Sequence, residues 1–265
     1  MADFQHRSLA EPLAAIAPIT LAEMDAIKLM NRIDTKYLTD EATLVQVLAD
    51  AAAAGYRALE TDGEKLSAYN SVYYDTAGLR MFLDHHNRRL VRQKVRTRAY
   101  LGSGIAFLEI RRKNNKGRTN KKRTAIPLEQ LMDFSGNSEA CDYLARKSWF
   151  TAPELSPVLE TRFTRITLVN PAKTERLTID TCLQFKNFRT ARAASLRDAV
   201  IIELKQDGRT ASQMRGILLD HRIKPARVSK YCVAVTLTEP FAKSGRFKEK
   251  VRRIEKIINH KIDIQ

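Results

Sequence analysis

The sequence has few of the residues that build disulfide frameworks, zinc sites and membrane spans. Its 265 residues include only three cysteines, Cys141, Cys182 and Cys232, which lie far apart and show no metal-ligand spacing. Neither a disulfide-stapled fold nor a zinc centre is indicated, and we expect a reducing compartment. No apolar run approaches the ~18 residues that a membrane-spanning helix needs.

The beginning of the chain also lacks the basic-then-apolar pattern of a secretory signal, because residues 1–20 contain acidic residues and two prolines. We therefore expect a cytoplasmic protein, with any membrane association made through a peripheral contact or a membrane-protein partner. The hydrophobic content of 44% suits one large domain or two small ones with a buried core.

Acidic residues are scarce beside basic ones: 30 Asp and Glu accompany 46 Lys and Arg, a net charge of +16. This excess predicts a polyanionic partner, which is a nucleic acid, an anionic membrane or a phosphate-rich ligand. Aromatic residues make up only 7% of the chain, and the cations alternate along predicted strands without a set of stacking rings. A nucleic-acid partner is therefore the weaker alternative.

Apolar spacing predicts helices at 42–55 and 211–223, and shorter ones at 128–134 and 138–150. Residues 247–264 predict a basic amphipathic helix that plugs a barrel mouth, lies on an anionic membrane or packs against the barrel. The remaining segments predict eight or nine strands, at 31–38, 71–75, 92–101, 105–113, 119–126, 160–169, 176–185, 199–206 and 228–237.

One predicted strand, RQKVRTRAY at 92–100, places Arg92, Lys94, Arg96 and Arg98 on one face, because successive side chains point to opposite sides. Basic faces of this kind recur on at least five strands. Same-face neighbours ~7 Å apart repel by roughly 2–2.5 kcal/mol at an effective dielectric constant of ~20. The opposite faces are apolar and suit helix packing.

These patterns predict an α+β fold: an eight-stranded antiparallel β tunnel barrel with a basic interior and helices packed outside. The apolar face looks outward, and the charged face surrounds water, metal and a multiply charged anion. We divide the chain into an N-terminal extension (1–24), the tunnel domain (25–240) and the C-terminal basic amphipathic helix (241–265).

A set of motifs in order along the chain resembles the VTC domain, the polyphosphate-polymerase branch of the triphosphate tunnel metalloenzymes, over roughly residues 25–237. The resemblance implies an eight-stranded antiparallel tunnel that transfers the γ-phosphate of ATP to a growing polyphosphate chain with Mn²⁺ or Mg²⁺. The motifs are RIDTKY (32–37), YNSVYYDT (69–76), KVRTRAYL (94–101), FLEIRRK (107–113), KKR (121–123), RFTRITL (162–168), RLTID (176–180), IIELK (201–205) and RVSKY (227–231).

The resemblance also implies roles for individual residues, and Glu203 would hold the metal ion. Ser229 would donate to a phosphate oxygen. The residues that would contact the reacting phosphates are Lys36, Arg96, Arg98, Arg111, Lys121 and Arg165. Further phosphate-binding residues, some implied by the motifs and some by sharing the basic face, are Lys94, Lys113, Arg123, Lys205, Arg227, Ser229 and Lys230.

Structural alternatives exist for several of these side chains. Lys36 could form a simple ion pair with Asp34, and Lys205 could satisfy Glu203. Glu109 and Asp180 are expected to orient nearby cations rather than to bind metal. Because Arg96 stands in a row of like charges, we expect Arg96→Ala to abolish activity and to leave the fold intact or stabilised.

The chain departs from the family pattern at three positions that matter for activity. Phe163 stands where a tyrosine is common, Arg227 where a lysine would be expected, and Arg111 likewise replaces a common lysine. The first strand carries Asp34 and Lys36 without the second carboxylate of the Glu-x-Glu-x-Lys motif of hydrolytic relatives. Polymerase is therefore the leading interpretation, with a catalytically weak polyphosphate or nucleotide-phosphate sensor and a triphosphate hydrolase as alternatives.

Overall fold

A computed structural model describes residues 7–27, 32–208 and 211–265. Residues 1–6 of the predicted extension and residue 31 of the first predicted strand lie outside this part of the chain. The helices are α1 (Arg7–Ala14), α2 (Leu21–Asp25), α3 (Glu41–Ala53), α4 (Arg80–His86), α5 (Ser138–Lys147), α6 (Gln213–Asp220), α7 (Lys230–Thr238) and α8 (Gly245–Ile258). The strands are β1 (Ala17–Ile19), β2 (Arg32–Asp40), β3 (Arg57–Leu59), β4 (Ser67–Asp75), β5 (Arg92–Tyr100), β6 (Ile105–Lys113), β7 (Thr119–Ile126), β8 (Ser156–Val169), β9 (Glu175–Asn187), β10 (Ala193–Leu196), β11 (Ala199–Asp207) and β12 (Asp263–Ile264).

Eight of these strands form a curled antiparallel sheet in the order β7-β6-β5-β4-β8-β9-β11-β2. The predicted α+β tunnel fold is confirmed. The sheet is a half-barrel rather than a closed one, because within the described residues no strand pairing joins β2 to β7. We call the opening between these two edge strands the seam.

The outer face of the half-barrel is apolar and covered by helices, as the alternation predicts. On one side Ile166, Ile202 and Leu204 lie in a buried cluster with Leu44 of α3 and Leu218 of α6. On the other side, β5 and β6 contribute to a second buried cluster that includes Leu144 of α5. Burial of these outward side chains fixes the register, since a one-residue slip would turn the cations into the core.

Helix α3 shows how local sequence sets these covering elements. Asp40 ends β2 and caps the helix, because its carboxylate accepts a hydrogen bond from the backbone N–H of Thr43 at 2.8 Å. Gly55 follows the helix with φ +75°, a conformation that glycine adopts without strain. The predicted helices at 42–55, 138–150 and 211–223 are confirmed with shorter bounds, and the predicted helix at 128–134 is a 3-10 turn at Leu128–Leu131.

One end of the half-barrel is closed by an apolar plug built from α4, α7 and α8. Its buried core includes Phe82, Tyr231, Val235 and Phe247, which pack against inward side chains such as Phe185 of β9. The inner surface is therefore basic along its middle and apolar at this end. Only the apolar end of this surface contributes to the hydrophobic core.

The predicted strand at 228–237 is wrong, because residues Lys230–Thr238 form α7. The segment is rich in β-branched residues, and a short apolar run does not distinguish a strand from a buried helix. Ser229 is the N-cap and favours a helix here, because its Oγ accepts a hydrogen bond from the N–H of Cys232. Burial on nearly all sides then stabilises the helix.

The C-terminal helix belongs to the same plug. Phe247, Ile254 and Ile258 of α8 are buried, so the protein itself covers the apolar face of this helix. The helix ends at Ile258, earlier than predicted, because Asn259 adopts a left-handed conformation and Asp263–Ile264 pairs with β10. Among the described helices, none combines the length and the apolar character needed to cross a membrane.

Candidate active site

Strand register brings the predicted cations together on the concave face of the half-barrel. Arg96 of β5 stands opposite Tyr73 of β4 and Glu109 of β6, and Arg98 stands opposite Ser71 of β4. Arg96 and Arg98 are only 4% and 5% exposed. The row of cations therefore faces inward, as the sequence predicts.

Arg96 is locked into a buried ion pair. Its Nε and Nη2 donate to Glu109 Oε2 at 2.9 and 2.5 Å, and its Nη1 donates to the hydroxyl of Tyr73 at 3.0 Å. Burial alone would raise the pKa of Glu109, but Arg96, Arg98 and further cations outweigh it and hold that pKa well below its usual range. Glu109 therefore orients a cation, in agreement with the sequence interpretation.

Arg98 differs from Arg96 because no carboxylate of the described residues lies within ion-pair distance of it. Its Nε donates to Ser71 Oγ at 2.9 Å, and its guanidinium lies 5.3 Å from the ring centre of Tyr69. Burial, together with the positive charges of Arg96 and Arg165, lowers the pKa of Arg98 to about 9. A buried cation in this state is stabilised by a bound anion.

Strands β6 and β7 add further cations beside Glu109. Arg111 Nε is 3.8 Å from Glu109 Oε2, is buried and has no hydrogen-bond partner among the described residues. Lys121 Nζ lies 3.6 Å from Glu109 Oε1. Arg123 is exposed and its guanidinium lies 4.2 Å from the ring centre of Phe107, so it stands at the rim of the tunnel.

The facing side of the tunnel holds cations that are already paired. Glu203 accepts from Lys36 at 2.5 Å and forms an ion pair with Lys205 at 3.1 Å. The alternative pair between Lys36 and Asp34 is wrong, because Asp34 binds Arg32 at 2.5 Å. Burial lowers the pKa of Lys205 to about 8.

Asp180 of β9 organises a second paired group. It accepts from Arg165 Nε and Nη2 at 2.6 and 2.9 Å and from Lys230 Nζ. Lys230 Nζ also lies 3.4 Å from the ring centre of Phe163. Asp180 therefore positions one cation from the sheet and one from the start of α7.

The start of α7 also carries Ser229, whose Oγ accepts a hydrogen bond from Lys94 Nζ at 2.8 Å. The hydroxyl hydrogen of Ser229 remains free to donate, as the predicted phosphate contact requires. Lys94 has no carboxylate partner among the described residues, and burial lowers its pKa. Arg227 is exposed and Lys113 is half-buried, so both lie at the margin of the site.

We call two groups of these residues the unbalanced wall and the paired wall. The unbalanced wall, on β5, β6 and β7, sets five cations against one carboxylate: Lys94, Arg96, Arg98, Arg111 and Lys121 against Glu109. The paired wall is the group of four cations on β2, β8, β11 and the start of α7 that contact two carboxylates: Lys36, Arg165, Lys205 and Lys230 with Asp180 and Glu203. Arg32 and Asp34 of β2, which pair with each other, and Arg176 of β9 share this face but are not part of the group.

Tyr73 and Arg176 are inward residues that were not assigned to the site from the sequence. Tyr73 faces Arg96 and accepts a hydrogen bond from it. Burial alone would raise the pKa of Tyr73, but Arg96 and the other cations outweigh it and lower that pKa to about 8. Arg176 pairs in register with Lys205, which places it on the same face. The sequence signal for both was their position along the strand, since alternate residues of a strand share a face.

The carboxylates bear on the implied divalent metal. Among the described residues no group of three or more His, Cys, Asp or Glu side chains is placed to hold an ion. Glu203 is the most accessible of the three carboxylates, with 21% of its side chain exposed against 1% for Glu109 and 7% for Asp180. Asp34 of β2 shares this face opposite Lys205 and has 34% of its side chain exposed, but it is held by Arg32. A single carboxylate such as Glu203 fits an ion whose remaining ligands are phosphate oxygens.

The chain is similar to known proteins in sequence and in structure. The VTC domain family matches the chain over residues 31–238. A search of curated proteins found no match. One similar solved structure is HpAC1 from Hippeastrum, a putative adenylyl cyclase described as having a dominant triphosphatase activity. The match has 16% sequence identity and a TM-score of 0.47, and it covers 76% of this chain and 94% of HpAC1. The PH1819 protein from Pyrococcus horikoshii OT3 is 12% identical, covers 75% and 96%, and has a TM-score of 0.41.

Proposed function

Because the chain belongs to the VTC domain family, we propose that it is a metal-dependent polyphosphate polymerase that transfers the γ-phosphate of ATP to a growing polyphosphate chain in the tunnel. The observation that supports this most is Arg98, a buried cation with no carboxylate partner among the described residues. Such a site favours the binding of a highly charged anion, because the uncompensated buried charge is unfavourable when the site is empty.

Phosphoryl transfer asks little covalent chemistry of these side chains. A terminal oxygen of the polyphosphate chain forms a bond to the γ-phosphorus, and the bond from that phosphorus to the β,γ-bridging oxygen breaks. The electron pair of the broken bond stays on ADP. The nucleophile is already ionised, so catalysis consists of positioning and of stabilising the charge of a loose transition state.

The unbalanced wall is suited to the transferred group. Arg98 retains its terminal nitrogens for phosphate oxygens, and Arg111 Nε is a buried donor without a hydrogen-bond partner among the described residues. Arg96 is held by Glu109 and Tyr73, so its orientation is fixed before substrate binds. A guanidinium matches two phosphate oxygens with parallel hydrogen bonds.

Glu203 is the residue that would hold Mn²⁺ or Mg²⁺, with phosphate oxygens of the nucleotide as the other ligands. The ion would supply positive charge to the phosphates during transfer. Lys36 and Lys205 neutralise Glu203 in its absence. Both lysines are then available to contact phosphate when the carboxylate binds the ion.

A second candidate function is the hydrolysis of short triphosphates. The apolar plug of α4, α7 and α8 closes one end of the half-barrel, which favours a short substrate over a polymer threaded from end to end. In that case water replaces the polyphosphate oxygen as the nucleophile. The same cations would bind the triphosphate.

One experiment separates these functions. The purified protein is incubated with ATP and Mn²⁺, and the products are examined by gel for polyphosphate and by assay for free phosphate. Arg98→Ala is the test variant, and Arg112→Ala is the control because Arg112 is exposed on the outer face of β6. Long chains made by the wild type and the control, but not by Arg98→Ala, support the polymerase.

The other outcomes are equally clear. Phosphate release without chains supports the hydrolase. Binding of inorganic tripolyphosphate without either product supports a sensor, which the Phe163 and Arg227 departures would suit. Failure to bind tripolyphosphate at all would overturn the assignment of the tunnel as a phosphate site.

A further inference from the structure

Tyr69 is an aromatic residue on the concave face that neither the sequence nor the proposed function assigns to a role. It lies on β4 beside Phe163 of β8, and the two rings stack at 5.2 Å with an interplanar angle of 12°. The ring centre of Tyr69 is 5.3 Å from the guanidinium of Arg98 and 4.9 Å from that of Arg165. The ring therefore lies between the two walls, next to Arg98 of the unbalanced wall and Arg165 of the paired wall.

The hydroxyl of Tyr69 has no hydrogen-bond partner among the described residues, whereas Tyr73 accepts from Arg96 and Tyr74 donates to the carbonyl of Leu131. Tyr69 is half-buried and solvent reaches its hydroxyl oxygen, so a ligand in the tunnel can contact it. Its surroundings are Tyr100 and the charges of Arg98, Arg165 and Asp180. Asp180 is already engaged by Arg165 and Lys230.

We propose that the Tyr69 hydroxyl donates a hydrogen bond to an oxygen of the same phosphoryl group that Arg98 binds. Stacking on Phe163 and the two flanking guanidinium groups fix the ring, so the hydroxyl is oriented before substrate arrives. Phe163 occupies the adjacent position and offers a ring without a donor. The proposal rests on the proposed function only in requiring a phosphate ligand in the tunnel.

The hydroxyl is suited to donate rather than to accept. Burial raises the pKa of Tyr69 and outweighs the opposing effects of Arg165 and Arg98, so the phenol stays protonated across the neutral range. A phosphate oxygen is a strong acceptor, and a hydrogen bond to a charged group contributes more than a neutral one. Tyr69 thus supplies a neutral donor between two cations.

The test is calorimetric binding of inorganic tripolyphosphate to the full chain at pH 7. Tyr69→Phe removes the hydroxyl and keeps the ring, and we expect its Kd to rise about tenfold. Tyr74→Phe is the matched control, because Tyr74 lies on the same strand with its hydroxyl on the outer side of the sheet. Its Kd should equal that of the wild type.

A second variant and a second measurement separate the hydroxyl from the ring. Tyr69→Leu removes both, and the melting temperature of each ligand-free protein reports whether the fold is retained. We expect Tyr69→Phe to melt as the wild type does and to show a smaller shift with tripolyphosphate. If Tyr69→Phe binds within twofold of the wild type and only Tyr69→Leu is impaired, the ring matters and the hydroxyl proposal is overturned.

The result also distinguishes this inference from the proposed function. A wild-type protein that does not bind tripolyphosphate overturns both. A wild type that binds and loses affinity with Arg98→Ala, but not with Tyr69→Phe, leaves the phosphate site in place and removes only Tyr69 from it.

Discussion

The unbalanced wall and the paired wall carry similar side chains but differ in how their charge is compensated. On the unbalanced wall one carboxylate, Glu109, serves Arg96, Arg111 and Lys121, while Lys94 and Arg98 have none among the described residues. Each of the four cations of the paired wall contacts Asp180 or Glu203. Both walls come from strands with alternating basic residues, but their electrostatic environments differ.

The difference indicates a division of labour between the walls. An anion gains most where positive charge is buried and uncompensated, because binding there removes repulsion without breaking an ion pair. On the paired wall the anion must compete with a carboxylate. We therefore expect the unbalanced wall to dominate tripolyphosphate affinity, and the paired wall to hold its side chains in position until an anion or a metal ion binds.

The largest effect should come from Arg98→Ala. We expect the phosphoryl-transfer rate to fall about 10³-fold, as it does when an arginine that stabilises transferring phosphate is lost. The free energy of unfolding should not fall, because the substitution removes a buried cation that has no carboxylate partner within the described residues. Steady-state rates and thermal melting of the ligand-free protein measure the two effects. A stable variant with wild-type activity would contradict the role of the unbalanced wall.

Arg96→Ala should differ from Arg98→Ala in stability. The sequence interpretation expected an intact or stabilised fold, but Arg96 is half of a buried ion pair, and its loss leaves Glu109 with only distant partners. We expect the free energy of unfolding to fall by about 3 kcal/mol. Urea denaturation checks this. The double variant Arg96→Ala/Glu109→Gln should recover part of the loss, and no recovery would contradict the explanation.

On the paired wall, Lys205→Met should weaken tripolyphosphate binding by less than about tenfold, because the lysine is partly neutralised by Glu203 before the anion arrives. Calorimetry at two salt concentrations measures this. A loss as large as that of Arg98→Ala would remove the distinction between the walls.

The smallest effect should be a pH dependence of affinity. As pH rises from 7 to 9.5, Tyr73 gains a negative charge, and Lys205 and Arg98 lose positive charge. The pKa values of Tyr73 and Lys205 are lowered to about 8, and that of Arg98 to about 9. Tripolyphosphate affinity should therefore decline as pH rises from 7 to 9.5. The folded-state pKa of Tyr73 lies below its unfolded value of about 10, so its contribution to stability grows between pH 8 and 10 while affinity falls.

Tyr73→Phe is the control for this pH dependence. The variant cannot ionise at this position, so its affinity should decline less steeply than that of the wild type. Identical pH profiles would assign the dependence to Lys205 or to another group.

The sequence was sufficient to predict the orientation of the tunnel cations. A strand alternates its side chains with period two, so Arg96 and Arg98 share a face whatever the partner strands are. The apolar alternate residues then require that this face be the concave one. The order of the motifs along the chain then indicated the tunnel fold.

Two features could not be read from the sequence for physical reasons. Lys36 pairs with Glu203, 167 residues away, because β2 and β11 are neighbours in the sheet. A strand pairing of this range is invisible to local patterns, which offered the nearer Asp34. Likewise the β-branched residues of α7 favour a strand locally, and burial at the end of the half-barrel overrides that preference.

The seam leaves β7 as an unpaired edge, and Lys121, Lys122 and Arg123 stand exposed along it. Consecutive like charges keep such an edge from adding to the sheet of another molecule. Lys121 and Arg123 also lie on the concave face, opposite Arg111 and Glu109. If the proposed function holds, a long bound polyphosphate would neutralise these charges. We therefore expect the protein to self-associate more readily in solutions saturated with polyphosphate than in its free form.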